Sequence, residues 1–82
     1  MVVNVKTDAY DVYIGRPSVW GNPFKIGNHT RAEVVQLYRE YIQQHPELRE
    51  MAKHELRGKR LGCFCAPLPC HGDVLDEIAN GR

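Results

Sequence analysis

The stretch TRAEVVQLYREYIQQHPELREMAKHELRGKRLGCFC, Thr30 to Cys65, decides the fold. Thr30 and Glu33 form a capping-box pattern, and Val34, Leu37, Tyr38, Tyr41 and Ile42 follow on one helical stripe. His45-Pro46 ends that helix, because proline restricts the residue before it. Pro46 suits the first position of a second helix, which carries Leu48, Met51, Ala52 and Leu56 on one face and stops at Gly58. Arg60-Leu61-Gly62-Cys63-Phe64-Cys65 then reads as a short strand.

Upstream, Asp11-Val12-Tyr13-Ile14-Gly15 reads as a strand that stops at a glycine, and Val2-Val3-Asn4-Val5-Lys6 as a β-branched first strand. Downstream, an Ala66-Pro67-Leu68-Pro69 elbow leads into a last helix from about Cys70 or His71 to Asn80. Its buried stripe is Val74, Leu75, Ile78 and Ala79. The order is β-β-α-α-β-α, with no repeats. These features predict a small single α/β domain over residues 1–82, with a two- or three-stranded sheet flanked by helices. The second and third strands are joined by a helical crossover, so they are expected to be parallel.

Composition bounds the function. A chain of 82 residues makes one domain with a thin core. At 43% hydrophobic and 26% charged residues it is not a disordered chain. It has no apolar run of the roughly 20 residues that span a bilayer and no signal-peptide pattern, so a soluble cytoplasmic protein is expected, with no membrane partner. Eleven basic against ten acidic residues leave a net charge of +1, which gives no electrostatic reason for nonspecific nucleic-acid binding. The three cysteines all fall between positions 63 and 70, too close together to staple a secreted fold.

Cys63, Cys65, Cys70 and His71 are the donor types of a tetrahedral zinc site. Cys63 and Cys65, two apart on the predicted strand, would leave the same face. Adjacent Cys70 and His71 diverge on a helix, and the spacing lacks the paired knuckles of common zinc folds. Two other readings stay open. The thiols can be reactive without a metal, or they can be small core residues with His71 hydrogen-bonded to backbone. Asp73, in the first turn of the last helix, is a candidate partner for His71 or a general base. His29, His45 and His54 are isolated and read as surface or capping residues.

The second unusual segment is Arg16 to Asn28, thirteen residues with two prolines, two glycines and two asparagines. A loop of that length in a compact domain is often functional. Arg16 can fork onto a carboxylate or phosphate, Trp20 or Phe24 can stack on a planar group, and Asn22 can read polar edges. Against this stands a core-capping role for Trp20 and Phe24, with Arg16 paired to an acidic neighbour. No Walker loop or dinucleotide fingerprint is present. Ligands of open α/β sheets collect at the carboxyl ends of the strands. The ends here are Gly15-Arg16-Pro17 and Cys65-Ala66-Pro67, so the two segments are expected to meet.

Two signatures, YIGRPSVWGNPF and LRGKRLGCFCAPLPCHGDVL, resemble the domain-of-unknown-function family 4326 of phages, bacteria and archaea, from about Val12 to Leu75. Gly15, Arg16, Pro17, Trp20, Gly21, Asn22, Pro23 and Phe24 carry the first signature. Cys63, Cys65, Pro67, Cys70 and His71 carry the second. The resemblance implies one site built from both segments and supplies no reaction. In outline the expected fold is similar to small Rossmann-like nucleotide-handling domains. The favoured function is a zinc-containing module binding a small anionic or nucleotide-like ligand, or a protein partner. The alternatives are a hydrolase or transferase acting on a nucleotide or nucleoside, with a cysteine or metal-bound water as nucleophile, and a purely structural interaction protein such as a phage accessory factor.

Overall fold

The computed structural model describes residues 1–24, 27, 29–66, 68 and 70–81. The chain runs β1 (Val2–Asn4), β2 (Val12–Tyr13), α1 (Arg31–Gln43), α2 (Pro46–Glu55), β3 (Leu61–Cys63) and α3 (His71–Ala79). This is the predicted order. The three strands form one parallel sheet in the order β1-β3-β2. Val2 and Val12 both pair with Leu61, and Val3 and Tyr13 both pair with Gly62.

Parallel neighbours require the chain to return between β1 and β2, and the segment from Val5 to Asp11 does this across one face of β3. Gly62 sits beneath it. A Cβ there would stand 2.7 Å from Tyr10 Cγ and 2.8 Å from Val5 Cγ1, so only glycine admits the crossing. Alternation along β3 sends Leu61 and Cys63 to the opposite face, where both are buried in the core. There α3 packs against β1 and β3, and α1 and α2 pack against α3.

The helix signals hold at atomic detail. The Thr30 amide donates to Glu33 Oε1 at 2.9 Å, and the Glu33 amide donates to Thr30 Oγ1 at 3.2 Å. Val34, Tyr38 and Ile42 form the buried stripe of α1, and Leu48, Ala52 and Leu56 that of α2. Pro46 opens α2, and Gly58 follows its end at φ 72°, a conformation that favours glycine. No helix among the described residues is long and apolar enough to cross a membrane.

The strands are shorter than their sequence pattern. Asn4 ends β1 by turning its side chain across the sheet edge: its Nδ2 donates to the carbonyls of Ala66 at 2.9 Å and Phe64 at 3.4 Å. Its Oδ1 accepts from the Lys6 amide. The segment after Cys63 is thus held by a side chain rather than by a ladder, and Cys65 lies in a bend beyond β3. The expectation that Cys63 and Cys65 share a strand face is corrected accordingly. Pro67 and Pro69 of the predicted elbow lie outside the described residues.

Candidate functional site

The carboxyl ends of β2 and β3 are adjacent, and the segments that follow them border one cavity of about 410 Å³. The first segment contributes Gly15, Arg16, Asn22 and Phe24, and the second contributes Cys63, Phe64, Cys65, Cys70 and His71. Among the described residues, Tyr13, Arg31 and Val34 also line it. The expected convergence of the two segments is what parallel pairing produces.

The loop from Gly15 to Phe24 is braced by its own polar groups. Ser18 Oγ donates to the Gly15 carbonyl at 2.6 Å and accepts from the Trp20 amide at 3.2 Å. The Tyr13 hydroxyl donates to the Arg16 carbonyl at 2.7 Å. Asn22 is buried, donating from Nδ2 to the Val34 carbonyl at 3.2 Å and accepting at Oδ1 from the Phe24 amide at 2.9 Å. It borders the cavity while stapling the loop to α1. The stem of Arg16 lies on Gly21, where a Cβ would meet Arg16 Cγ at 2.7 Å. The Arg16 guanidinium has no carboxylate partner among the described residues. Phe24 packs edge-on to Tyr41, and Phe64 edge-on to Tyr13 at the exposed rim.

Trp20 has a different place from the other loop residues. It is 4% exposed, belongs to the core and does not border the cavity. Its carbonyl accepts from the buried Tyr38 hydroxyl at 3.0 Å. An indole is the largest apolar group of a chain with little core, so burial claims it before a ligand can.

Two of the four cysteine-histidine candidates are in contact. Cys63 Sγ and Cys70 Sγ lie 3.4 Å apart and both are buried. Cys70 is the N-cap of α3: its sulfur accepts from the Gly72 amide at 3.3 Å, and its own amide donates to Asp73 Oδ2 at 3.1 Å. Asp73 is therefore engaged in capping. Donation from the Cys70 thiol, then from the Cys65 and Ala66 amides, lowers the Cys63 pKa to about 6. The Cys70 thiol is pushed up, by its hydrogen bond to Cys63 first and by burial second.

His71 turns to the backbone. Its Nε2 lies 2.7 Å from the Ile14 carbonyl oxygen, which can only accept, so Nε2 carries the proton. Burial holds the imidazole below its usual pKa, and the Arg16 charge acts in the same direction. Among the described residues, no three His, Cys, Asp or Glu side chains gather closely enough to hold a metal ion. His45 Nδ1 lies 2.7 Å from the Tyr41 carbonyl, and His54 faces Glu50; neither borders the cavity.

Arg31 and Tyr13 are cavity residues that the sequence reading passed over. Arg31 carried a signal: a cation at the first position of a helix opposes the macrodipole, and such a local mismatch asks for a reason.

Fold and site together define a small all-parallel α/β domain with a cation-lined cavity at the carboxyl edge of its sheet. The chain belongs to the family described as "Domain of unknown function (DUF4326)", whose profile matches residues 3–81. It is 37% identical over 82 residues to "Uncharacterized 12.4 kDa protein in nrdA-td intergenic region" of Enterobacteria phage T4. That match takes in 96% of this chain and 76% of the phage protein. It is 33% identical over 87 residues to "Uncharacterized protein R718" of Acanthamoeba polyphaga mimivirus, covering 83% of this chain and 65% of that protein. No solved structure matches the chain.

Proposed function

We propose that the cavity binds a small anionic ligand carrying a flat, nucleotide-like group. One observation carries this reading: among the described residues, the lining contains the arginines Arg16 and Arg31 and no aspartate or glutamate. A concave site bordered by the Arg16 guanidinium, which lacks a carboxylate partner among the described residues, favours a phosphate or carboxylate, which the guanidinium grips with two parallel hydrogen bonds. Phe24 and Tyr13 supply apolar walls for a planar group. Isothermal titration with nucleoside monophosphates, phosphosugars and dicarboxylates tests the reading. Saturable binding that competes with inorganic phosphate supports it, and heat no greater than buffer for every class overturns it.

A zinc ion at Cys63 and Cys70 is a second reading, supported by their 3.4 Å separation. Thiolates on one tetrahedral zinc lie about 3.7 Å apart, given Zn–S bonds of about 2.3 Å. With Cys65 and His71 drawn in as the remaining two ligands, zinc would close a four-coordinate site and organise the fold rather than react. Elemental analysis of protein purified without added metal decides it: about one zinc per chain, with a chelator lowering Tm, would carry this reading. The cysteine-nucleophile alternative rests on Cys63 bordering the cavity, and is tested by incubating the protein with nucleotides and assaying for hydrolysis or transfer products.

A further inference from the structure

We infer that Cys63 and Cys70 form a dithiol–disulfide couple that exchanges with small organic disulfides reaching it through the cavity. The sulfurs are 3.4 Å apart, so a short approach converts their contact into a bond. Each is held from a different element. Cys63 is the last residue of β3, and Cys70 is fixed as the N-cap of α3 by the Gly72 amide. The loop that a bond would close is short, running only from position 63 to position 70, so little chain entropy opposes closure. Both residues are otherwise buried, at 1% and 4% exposure, and both border the cavity. The cavity therefore selects for small reagents. Cys65 also borders it but does not share the sulfur contact, which makes it the internal control.

The exchange balances with the disulfide R–S–S–R as oxidant. The Cys63 sulfur, having given up its proton, attacks one sulfur of the reagent, the R–S–S–R bond breaks, and RS⁻ leaves and takes that proton. Cys70 then attacks the Cys63 sulfur of the mixed disulfide, its proton goes to the second RS⁻, and the intramolecular bond forms. Two electrons pass from the protein to the reagent, and two RSH are released.

The test uses the full chain and bis(2-hydroxyethyl) disulfide as the probe. After incubation and removal of reagent, thiols are counted in denaturant and the bridge is located by peptide mass mapping. The expected result is a fall from three thiols to one, a Cys63–Cys70 cross-link with loss of two hydrogens, and return to three after dithiothreitol. Cys65→Ser should lose both of its thiols in the same way. Cys70→Ser keeps an oxygen cap on α3 and should accumulate a mixed disulfide on Cys63 instead of a bridge. Three thiols retained, a bridge through Cys65, or a stable reagent adduct on the unsubstituted protein would overturn the inference. So would thiols that stay silent until a chelator removes bound zinc. None of these readouts involves the anion, so their failure is separate from failure of the binding proposal.

Discussion

His71 Nε2 donates to the Ile14 carbonyl oxygen at 2.7 Å, fastening the first residue of α3 to the residue that follows β2. The bond ties one wall of the cavity to the other and fixes which ring nitrogen is protonated. Burial makes the charged imidazole costly, so the folded pKa lies below the usual imidazole value of about 6.5. As pH falls through the window that starts near 6.5, the unfolded chain binds a proton that the folded chain refuses. Stability present above that pH should therefore be lost on acidification, before most carboxylates titrate. Thermal melts between pH 7.5 and 5 should show this decline. His71→Gln, which can still donate to Ile14, should make it shallower, the remainder belonging to Cys63, whose lowered pKa acts in the same direction. Equal slopes in the two proteins would show that another group is responsible.

The Tyr38 hydroxyl reaches the Trp20 carbonyl inside the core at 3.0 Å, and Tyr38 is fully buried. Tyr38→Phe keeps the ring and leaves the carbonyl without that donor. The loss should be about 1–3 kcal/mol, the usual cost of orphaning a buried polar group. In a domain of this size each kcal/mol moves Tm by about 4–8 °C. A melt within 2 °C of the unsubstituted protein would mean that the loop is held on the core by apolar contact alone.

Elements set by neighbours in the chain were legible in the sequence. The Thr30–Glu33 capping box, Pro46 at the start of α2 and the helical stripes depend on spacings of three or four residues, and they are found, except that Val35 rather than Leu37 packs on the core in α1. The parallel pairing of β2 and β3 was legible for another reason: a helical crossover leaves few topologies. What was not legible depends on partners far along the chain. Asn4 ends its strand by bonding to Phe64 and Ala66, sixty or more positions away, which no local pattern announces. Trp20 reads equally well as a stacking platform or a core residue until Tyr38 is known to meet its carbonyl. Likewise, the Cys63-x-Cys65 spacing suggests a pair on one face. The bend after Cys63 instead leaves Cys70, reached through the elbow, as the partner.

Gly72 lies where α3 presses on the sheet, and a Cβ there would meet Ile14 Cδ1 at 2.7 Å and Val2 Cγ1 at 3.1 Å. Two effects oppose each other in Gly72→Ala. Alanine improves helix propensity by about 1 kcal/mol. Overpacking against a fully buried Ile14 costs about 1–3 kcal/mol, because the isoleucine has little room to retreat. The balance should be a net loss of about 1 kcal/mol, measured by urea denaturation. Adding Ile14→Val should recover part of it by removing the clashing methyl. A more stable Gly72→Ala protein would show that propensity wins and that α3 can lift from the sheet.

Arg16 offers the sharpest test of the binding proposal, because its two candidate roles predict opposite patterns. As an anion anchor it grips with a planar fork that lysine cannot reproduce, though lysine keeps the charge and most of the stem. Arg16→Lys should then weaken binding of a nucleoside monophosphate about tenfold, equivalent to about 1.4 kcal/mol. Stability should stay within about 0.5 kcal/mol, as for most surface substitutions, since the lysine stem still covers Gly21. As a structural strut, Arg16 would instead hold the loop through hydrogen bonds of its guanidinium, and the substitution would lower Tm in the absence of ligand. Titration calorimetry and thermal melts on the same two proteins separate these cases. Equal affinity in both would remove Arg16 from the site, and a destabilised variant of unchanged affinity would assign it to the scaffold.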